Sequence, residues 1–140
     1  MEIEPAFSWP TRVYWEDTDA GGVVYHAQYL AFLERARSEW MRAQGHGQET
    51  LRRDHGLLFA VRAMQIDFLK PARLDDALEV TAALQECRRA SVVFSQEIRR
   101  GGERLLTATV RVAALGTDFR PTPIPQPLYD ELNALVEKDA

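Results

Sequence analysis

Between Glu16 and His26 the chain reads Glu16-Asp17-Thr18-Asp19-Ala20-Gly21-Gly22-Val23-Val24-Tyr25-His26: carboxylates, a glycine pair, then the start of a long apolar-periodic segment. Glycines let a backbone approach a ligand closely. The first N–H groups of a helix have no intrahelical partner and carry the positive end of its dipole. A carboxylate facing such an end is placed to attack a carbonyl, or to activate water against it, while those N–H groups hold the carbonyl oxygen. Acyl transfer or hydrolysis suits this order of residues, with Asp19 as the carboxylate. The competing reading is structural, since aspartates in such loops commonly cap the following helix. For His26 the backbone N–H matters more than the ring, and Tyr25 reads first as a core or interface residue.

Other chemistries find less support. Asp17-Thr18-Asp19 begins like a calcium loop, but the fifth position would be Gly21 and the twelfth Gln28, where a bidentate Glu is needed. His26, His46 and His55 have no zinc-ligand spacing, and Cys87 is the only cysteine. No Gly-x-Ser-x-Gly elbow supplies a hydroxyl nucleophile, and no Gly-Lys-Ser/Thr follows the glycine pair to make a phosphate loop. Arg88-Arg89, Lys70 and Arg73 are candidate phosphate contacts set against the plainer reading of solvated turns. Asp75-Asp76 reads as a turn between strands.

The elements that must position these residues follow from periodicity. Trp9, Val13, Tyr14 and Trp15 favour a first strand from Phe7 to about Trp15. Tyr29, Leu33, Ala36 and Trp40 recur at helical spacing with Glu34, Arg35, Arg37, Ser38 and Glu39 between them. This predicts an amphipathic helix from about His26 to Gln44, stopped by Gly45 and Gly47, with a further helical turn over Glu49–His55. From Leu57 the period becomes two. Met64, Ile66 and Phe68 alternate, as do Leu78 to Leu84, Val92 to Ile98 and Leu106 to Ala114. Four strands joined by short turns predict an antiparallel meander with one apolar face. Pro121, Pro123, Pro125 and Pro127 keep the next segment extended, and Leu128, Leu132, Leu135 and Val136 suggest a short C-terminal helix. One long helix with a wide apolar face needs a sheet to wrap it, so the fold class is α+β over a single domain of residues 1–140. Its open edge strands invite pairing between copies.

A net charge of −4 leaves no basic footprint for nucleic acid. The apolar runs are far shorter than the roughly 20 residues that span a bilayer, so no stable membrane insertion is expected. The acidic start Met1-Glu2-Ile3-Glu4-Pro5 lacks the regions of a signal peptide, and a lone cysteine fits a reducing compartment. The expected location is cytoplasmic.

The run Val13 to Leu30, followed by Phe32, Glu34-Arg35-Ala36-Arg37 and Trp40, closely resembles the signature of hotdog-fold acyl-CoA thioesterases. Within them it is most similar to the 4-hydroxybenzoyl-CoA thioesterase family, and especially its Tol-Pal-associated subgroup. Phe68-Leu69-Lys70-Pro71-Ala72, Asp75-Asp76 and Arg88-Arg89-Ala90-Ser91 extend the match with shorter, weaker motifs. The resemblance implies a curved antiparallel sheet around a central helix, homodimers with the site at the subunit interface, and dimers paired into tetramers. It implies hydrolysis of acyl-CoA thioesters, with coenzyme A as part of the substrate and no metal or redox cofactor. The family's catalytic Asp falls on Asp19, its backbone oxyanion donor on His26, and Gly22 and Tyr25 line the same turn. Arg88, with Arg89 and Ser91 beside it, falls where relatives contact the coenzyme A phosphates; a lysine of the relatives is Ala90 here. Two rival expectations stand beside hydrolysis. One is a hotdog hydratase or dehydratase, which needs an Asp–His ring pair at shorter separation than Asp19 to His26. The other is a binding or scaffold protein for acyl chains, acyl carrier protein or envelope partners, with little turnover. Short-to-medium aliphatic acyl groups are the expected substrates, in a pocket including Phe59, Met64 and Phe94.

Overall fold

A computed structural model describes residues 7–136. Strand β1 (Ser8–Arg12) leads into a loop, helix α1 (Gln28–Ala43) and the shorter helix α2 (Gln48–His55). Five strands follow: β2 (Leu58–Phe68), β3 (Ala77–Thr81), β4 (Ala83–Cys87), β5 (Ser91–Arg100) and β6 (Glu103–Leu115). Helix α3 (Gln126–Ala134) comes last. All pairings are antiparallel, in the order β1-β3-β5-β6-β2, with β4 also on β5. The expected α+β architecture is present, with α1 lying against β1, β3 and β5.

Tyr29, Phe32, Leu33, Ala36, Trp40 and Met41 form the buried stripe of α1, at the spacing that keeps side chains on one helical face. Trp40 meets Phe94 of β5 edge to face at 5.4 Å, so Phe94 belongs to the core and not to a pocket. The helix ends where Gly45 takes φ +84°, with Gly45 N–H donating to Arg42 O and His46 N–H to Met41 O. That is the paired-bond stop for which a glycine is suited, because only it enters the left-handed region without a Cβ penalty.

Four expectations need correction. The first strand stops at Arg12, because Trp15–Asp17 turn into a 3-10 helix closed by Asp17 N–H on Tyr14 O. The sheet is not a simple meander: β2 crosses to the far edge and pairs only β6. As an edge strand it leaves Val61 48% and Phe68 54% exposed, although both point to the side that faces the helix. The single strand expected over Leu78–Leu84 is two strands broken at Ala82, where β3 swings away to pair β1. Pro127 lies inside the first turn of α3, where a missing N–H costs nothing.

The break at Ala82 is closed by a side chain. Gln96, 1% exposed, donates from Nε2 to Thr81 O and to Leu33 O, each at 3.1 Å, while Thr81 Oγ1 accepts the Glu97 N–H at 2.8 Å. Gln96 Oε1 accepts from Arg37 Nη1 at 3.0 Å. Arg37, placed by its pattern among the solvent-side charges of α1, is in fact only 8% exposed.

Candidate active site

The loop between β1 and α1 is a small hairpin built on buried anchors. Asp17, 5% exposed, accepts the Tyr14 N–H on Oδ2 at 2.8 Å and the Tyr25 N–H on its carbonyl at 2.9 Å. Above it Asp19 N–H donates to Val23 O at 2.9 Å, and Gly22 N–H returns to Asp19 O at 3.0 Å. The turn requires Gly22 at φ +80°, the left-handed region that side chains resist. A Cβ on Gly21 would come 3.3 Å from Asp19 Oδ1, which explains the second glycine.

Asp19 does not cap α1. The cap position is Ala27, with no side-chain cap bond. Instead Asp19 Oδ1 accepts the Gly21 N–H at 2.8 Å, and the other carboxylate oxygen has no partner among the described residues. One oxygen is held, which fixes the carboxylate, and one is free on the exposed tip of the turn.

Past the hairpin, Val24 N–H donates to Ala72 O at 2.9 Å, and Tyr29 Oη accepts the Ala72 N–H at 3.0 Å. Regular helix begins at Gln28, two residues later than the periodicity suggests. The His26 N–H donates to no group among the described residues. It stands at the positive end of a sixteen-residue helix, a place suited to a developing oxyanion. The exposed His26 ring lies 4.5 Å from that of Tyr25.

A cleft of about 300 Å³ opens beside this turn, lined by Val24, His26, Tyr29 and Phe68 to Pro71. Asp19 is not in its wall. A larger cleft of about 570 Å³ runs between α1 and β2, lined by Leu30, Glu34, Arg37 and Ser38 on one side and by Phe59, Val61 and Met64 on the other. Leu30, Glu34 and Ser38 are spaced by four, so one face of α1 lines this cleft. Of the three residues expected to shape an acyl pocket, Phe59 and Met64 line this cleft and Phe94 is buried against Trp40.

The arginine turn lies elsewhere. Arg88 N–H donates to Ser91 O at 2.8 Å, and Arg88 Nε donates to Glu86 at 2.5 Å. Ser91 begins β5, whereas Arg100, at the other end of β5, donates to Pro71 O beside His26's cleft. Ten strand residues separate the two ends by about 30 Å. One chain thus brings Asp19, Gly22, Tyr25 and His26 together and leaves Arg88, Arg89 and Ser91 at the opposite end. Arg89 lines its own cavity of about 550 Å³ with Pro123 to Gln126 and Tyr129.

The segment supporting the site is itself pinned. Arg100 Nη1 donates to Asp76 Oδ2 at 2.8 Å, and the Arg73 N–H donates to the same oxygen at 2.8 Å. Partial burial opposes the Asp76 charge, but these bonds and the nearby Arg100 and Arg73 charges hold its carboxyl below the usual range. Lys70 is paired with Glu103 at 2.6 Å. Asp17, Tyr29 and Arg37 were not singled out as site residues from sequence. The only signals were a tyrosine where phenylalanine would fill a core, and a charge at a helical position flanking the buried stripe.

Residues 21–117 match the thioesterase superfamily. The chain is 46% identical over 113 residues to an acyl-CoA thioesterase, YbgC, of Haemophilus influenzae, covering 81% of this chain and 83% of the relative. It is 43% identical over 127 residues to the acyl-CoA thioester hydrolase YbgC of Escherichia coli O6:H1, covering 89% and 94%. The crystal structure of a probable thioesterase from Bartonella henselae superposes with a TM-score of 0.81 at 37% identity, over 85% of this chain and 98% of that one. The chain belongs to the thioesterase superfamily.

Proposed function

We propose that this chain hydrolyses acyl-CoA thioesters to a free acid and coenzyme A. The observation that carries the reading is the free His26 N–H at the start of α1, on the same hairpin as a carboxylate with one unbonded oxygen. Relatives named as acyl-CoA thioesterases at 43–46% identity support the substrate class.

The thioester carbonyl oxygen accepts from the His26 N–H. In one route Asp19 takes a proton from water, the hydroxide adds to the carbonyl, and the oxyanion collapses with loss of the C–S bond. The thiolate leaves as coenzyme A and is protonated. In the other route Asp19 attacks, releasing the thiolate and leaving a mixed anhydride that water cleaves. Neither route calls on a metal or redox group, and coenzyme A enters as part of the substrate. The exposed edge strand β2 supports a homodimer through β2 edges, which would cover Val61 and Phe68, with dimers pairing further. Such an assembly is how a partner's Arg88 turn would reach the phosphates of a substrate held at Asp19. An acyl carrier protein is a second carrier the same site would serve.

Thiol release is measured with a thiol-reactive chromophore across short, medium, long and aromatic acyl-CoAs. Burial pushes the Cys87 thiol up, so it adds little background. Asp19→Asn is expected to lower kcat/KM by about 10²-fold or more, the usual scale for losing a general base. Near-full activity in that variant would sink both routes.

A further inference from the structure

Among the described residues, the strand order leaves β1 at one end of the sheet and β2 at the other; β4, off that path on β5, has α3 against it. Each end strand presents backbone N–H and C=O groups that a second chain can pair. Two copies joined through β2 would make a longer sheet with a β1 strand at either end. If β1 also accepted a copy, the sheet would go on growing instead of closing. Exposed aromatics favour such growth: Trp9 lies on β1, and Tyr14 and Trp15 lie just beyond it.

The hydrogen bonds show which backbone groups of β1 meet the open edge. At one end Val13 N–H donates to Asp76 O at 3.0 Å, and Val13 O accepts the Asp75 N–H at 3.0 Å. At the other end Phe7 O accepts the Ala82 N–H at 3.4 Å. Phe7 and Val13 therefore turn toward the β3 side. Between them the register runs unbroken from Ser8↔Thr81 to Arg12↔Ala77. Bonded and non-bonded pairs alternate along an antiparallel ladder, so Trp9 and Thr11 also bond toward β3, while Ser8, Pro10 and Arg12 turn outward. Pro10 is the middle of those three. Its missing N–H takes nothing from the β1–β3 ladder. Its ring sits where an incoming strand needs a donor, so a neighbour laid there would bury a carbonyl without a partner.

β2 carries no such block. Leu58–Phe68 has eleven residues and no proline. Its one irregularity is the register shift between Val61 and Ala63, which bends the strand but removes no donor.

We infer that Pro10 closes the β1 edge to a second copy of this chain and so confines edge pairing to β2, giving an assembly of fixed size. The inference does not depend on what the site at Asp19 hydrolyses.

The test is the mass of the native assembly, by light scattering over a wide range of protein concentration. It compares wild type, Pro10→Thr, and Pro10→Thr combined with Ser8→Pro. Threonine restores the outward N–H on a β-favouring residue with little added apolar surface. Wild type should level off at one mass. Pro10→Thr should pass that plateau as concentration rises, to about twofold or more, as copies join through β1. Adding Ser8→Pro puts a proline back on the same outward row and should return the wild-type plateau. A second substitution that merely destabilised the strand would worsen aggregation, so this rescue separates edge pairing from misfolding. A Pro10→Thr mass equal to wild type at every concentration, growth that survives Ser8→Pro, or a wild-type mass that climbs without a plateau overturns the assignment. A wild type that stays monomeric ends the β2 dimer separately. Pro10→Thr is then expected to pass from monomer to dimer, read by the same criterion.

Discussion

Replacing Gln96 with leucine tests how much of the fold depends on one buried amide. Leucine occupies similar volume, so no large cavity opens, and the loss is polar. Arg37 loses its only protein acceptor, a charge-assisted bond worth about 1.5–3 kcal/mol. Leu33 O and Thr81 O each lose a neutral donor, about 0.5–1.5 kcal/mol apiece. Added apolar burial returns about 1 kcal/mol. The net expectation is about 3 kcal/mol of destabilisation, a large share of the 5–15 kcal/mol typical of a domain and about 10 °C in Tm. Urea unfolding, followed by Trp40 fluorescence at fixed protein concentration, measures it. The sharper test is the double variant Gln96→Leu with Arg37→Met, which replaces both partners by apolar groups of similar shape. Such replacements are often nearly neutral, so the double variant should be more stable than Gln96→Leu alone. A cost below about 1 kcal/mol for Gln96→Leu, or strict additivity of the two substitutions, would refute the reasoning.

Gly22→Ala places a Cβ in open space but at φ +80°, so it should cost about 1–2 kcal/mol through backbone strain alone and lower kcat by moving Asp19. Gly22→Asn, better tolerated in that region, should lose less of both. Tyr29→Phe leaves the buried Ala72 N–H without its acceptor and should destabilise by about 1–3 kcal/mol, read in the same urea titration. Asp76→Asn should destabilise at neutral pH. Because the folded carboxyl lies below its unfolded value, the ionised form's contribution is present above about pH 4 and fades as pH falls through the lower folded value. The gap between wild type and Asp76→Asn should therefore narrow in acid, and a gap that widens there would show that the ion pair is not its cause.

Periodicity made the architecture legible because it records a local demand, that one face of each element be buried. The α1 stripe and the alternation of β5 and β6 both follow from it. What it could not record is which strand neighbours which. Met64, Ile66 and Phe68 alternate as a half-buried strand should, yet β2 ends at the sheet edge with that face half open. The break at Ala82 was invisible because Leu78 and Leu84 keep their parity across it, and the missing ladder bonds are replaced by a side chain from another strand. Of the candidate site, residues close in sequence were legible as a unit: Asp19, Gly22, Tyr25 and His26 share one hairpin. Arg88, Arg89 and Ser91 were joined to them only by resemblance, and the chain alone leaves them at the other end of β5 from Arg100, which bonds the strip beside the hairpin. Arg37 was misplaced because position on a helix fixes direction but not depth, and its guanidinium turns inward to Gln96 of β5.

The site's rigidity rests on a chain of supports that runs from the sheet to the hairpin. Arg100, at the end of β5, holds Pro71 O and Asp76. Asp76 O in turn accepts the Val13 N–H, while Asp75 N–H donates to Val13 O, fixing the start of the hairpin loop. Ala72 accepts from Val24 and donates to Tyr29, fixing its end. The turn bearing Asp19 and the N–H of His26 are thus clamped to the same short strip, residues 71–76, from both sides. Such clamping matters because a donor or carboxylate displaced by about 1 Å loses much of its hold on a transition state, and a loop ordered only by substrate would have to meet that ordering cost at binding. The arrangement leaves freedom where the proposed chemistry needs it, in one oxygen of Asp19 and one N–H of His26, and removes it nearly everywhere else around them.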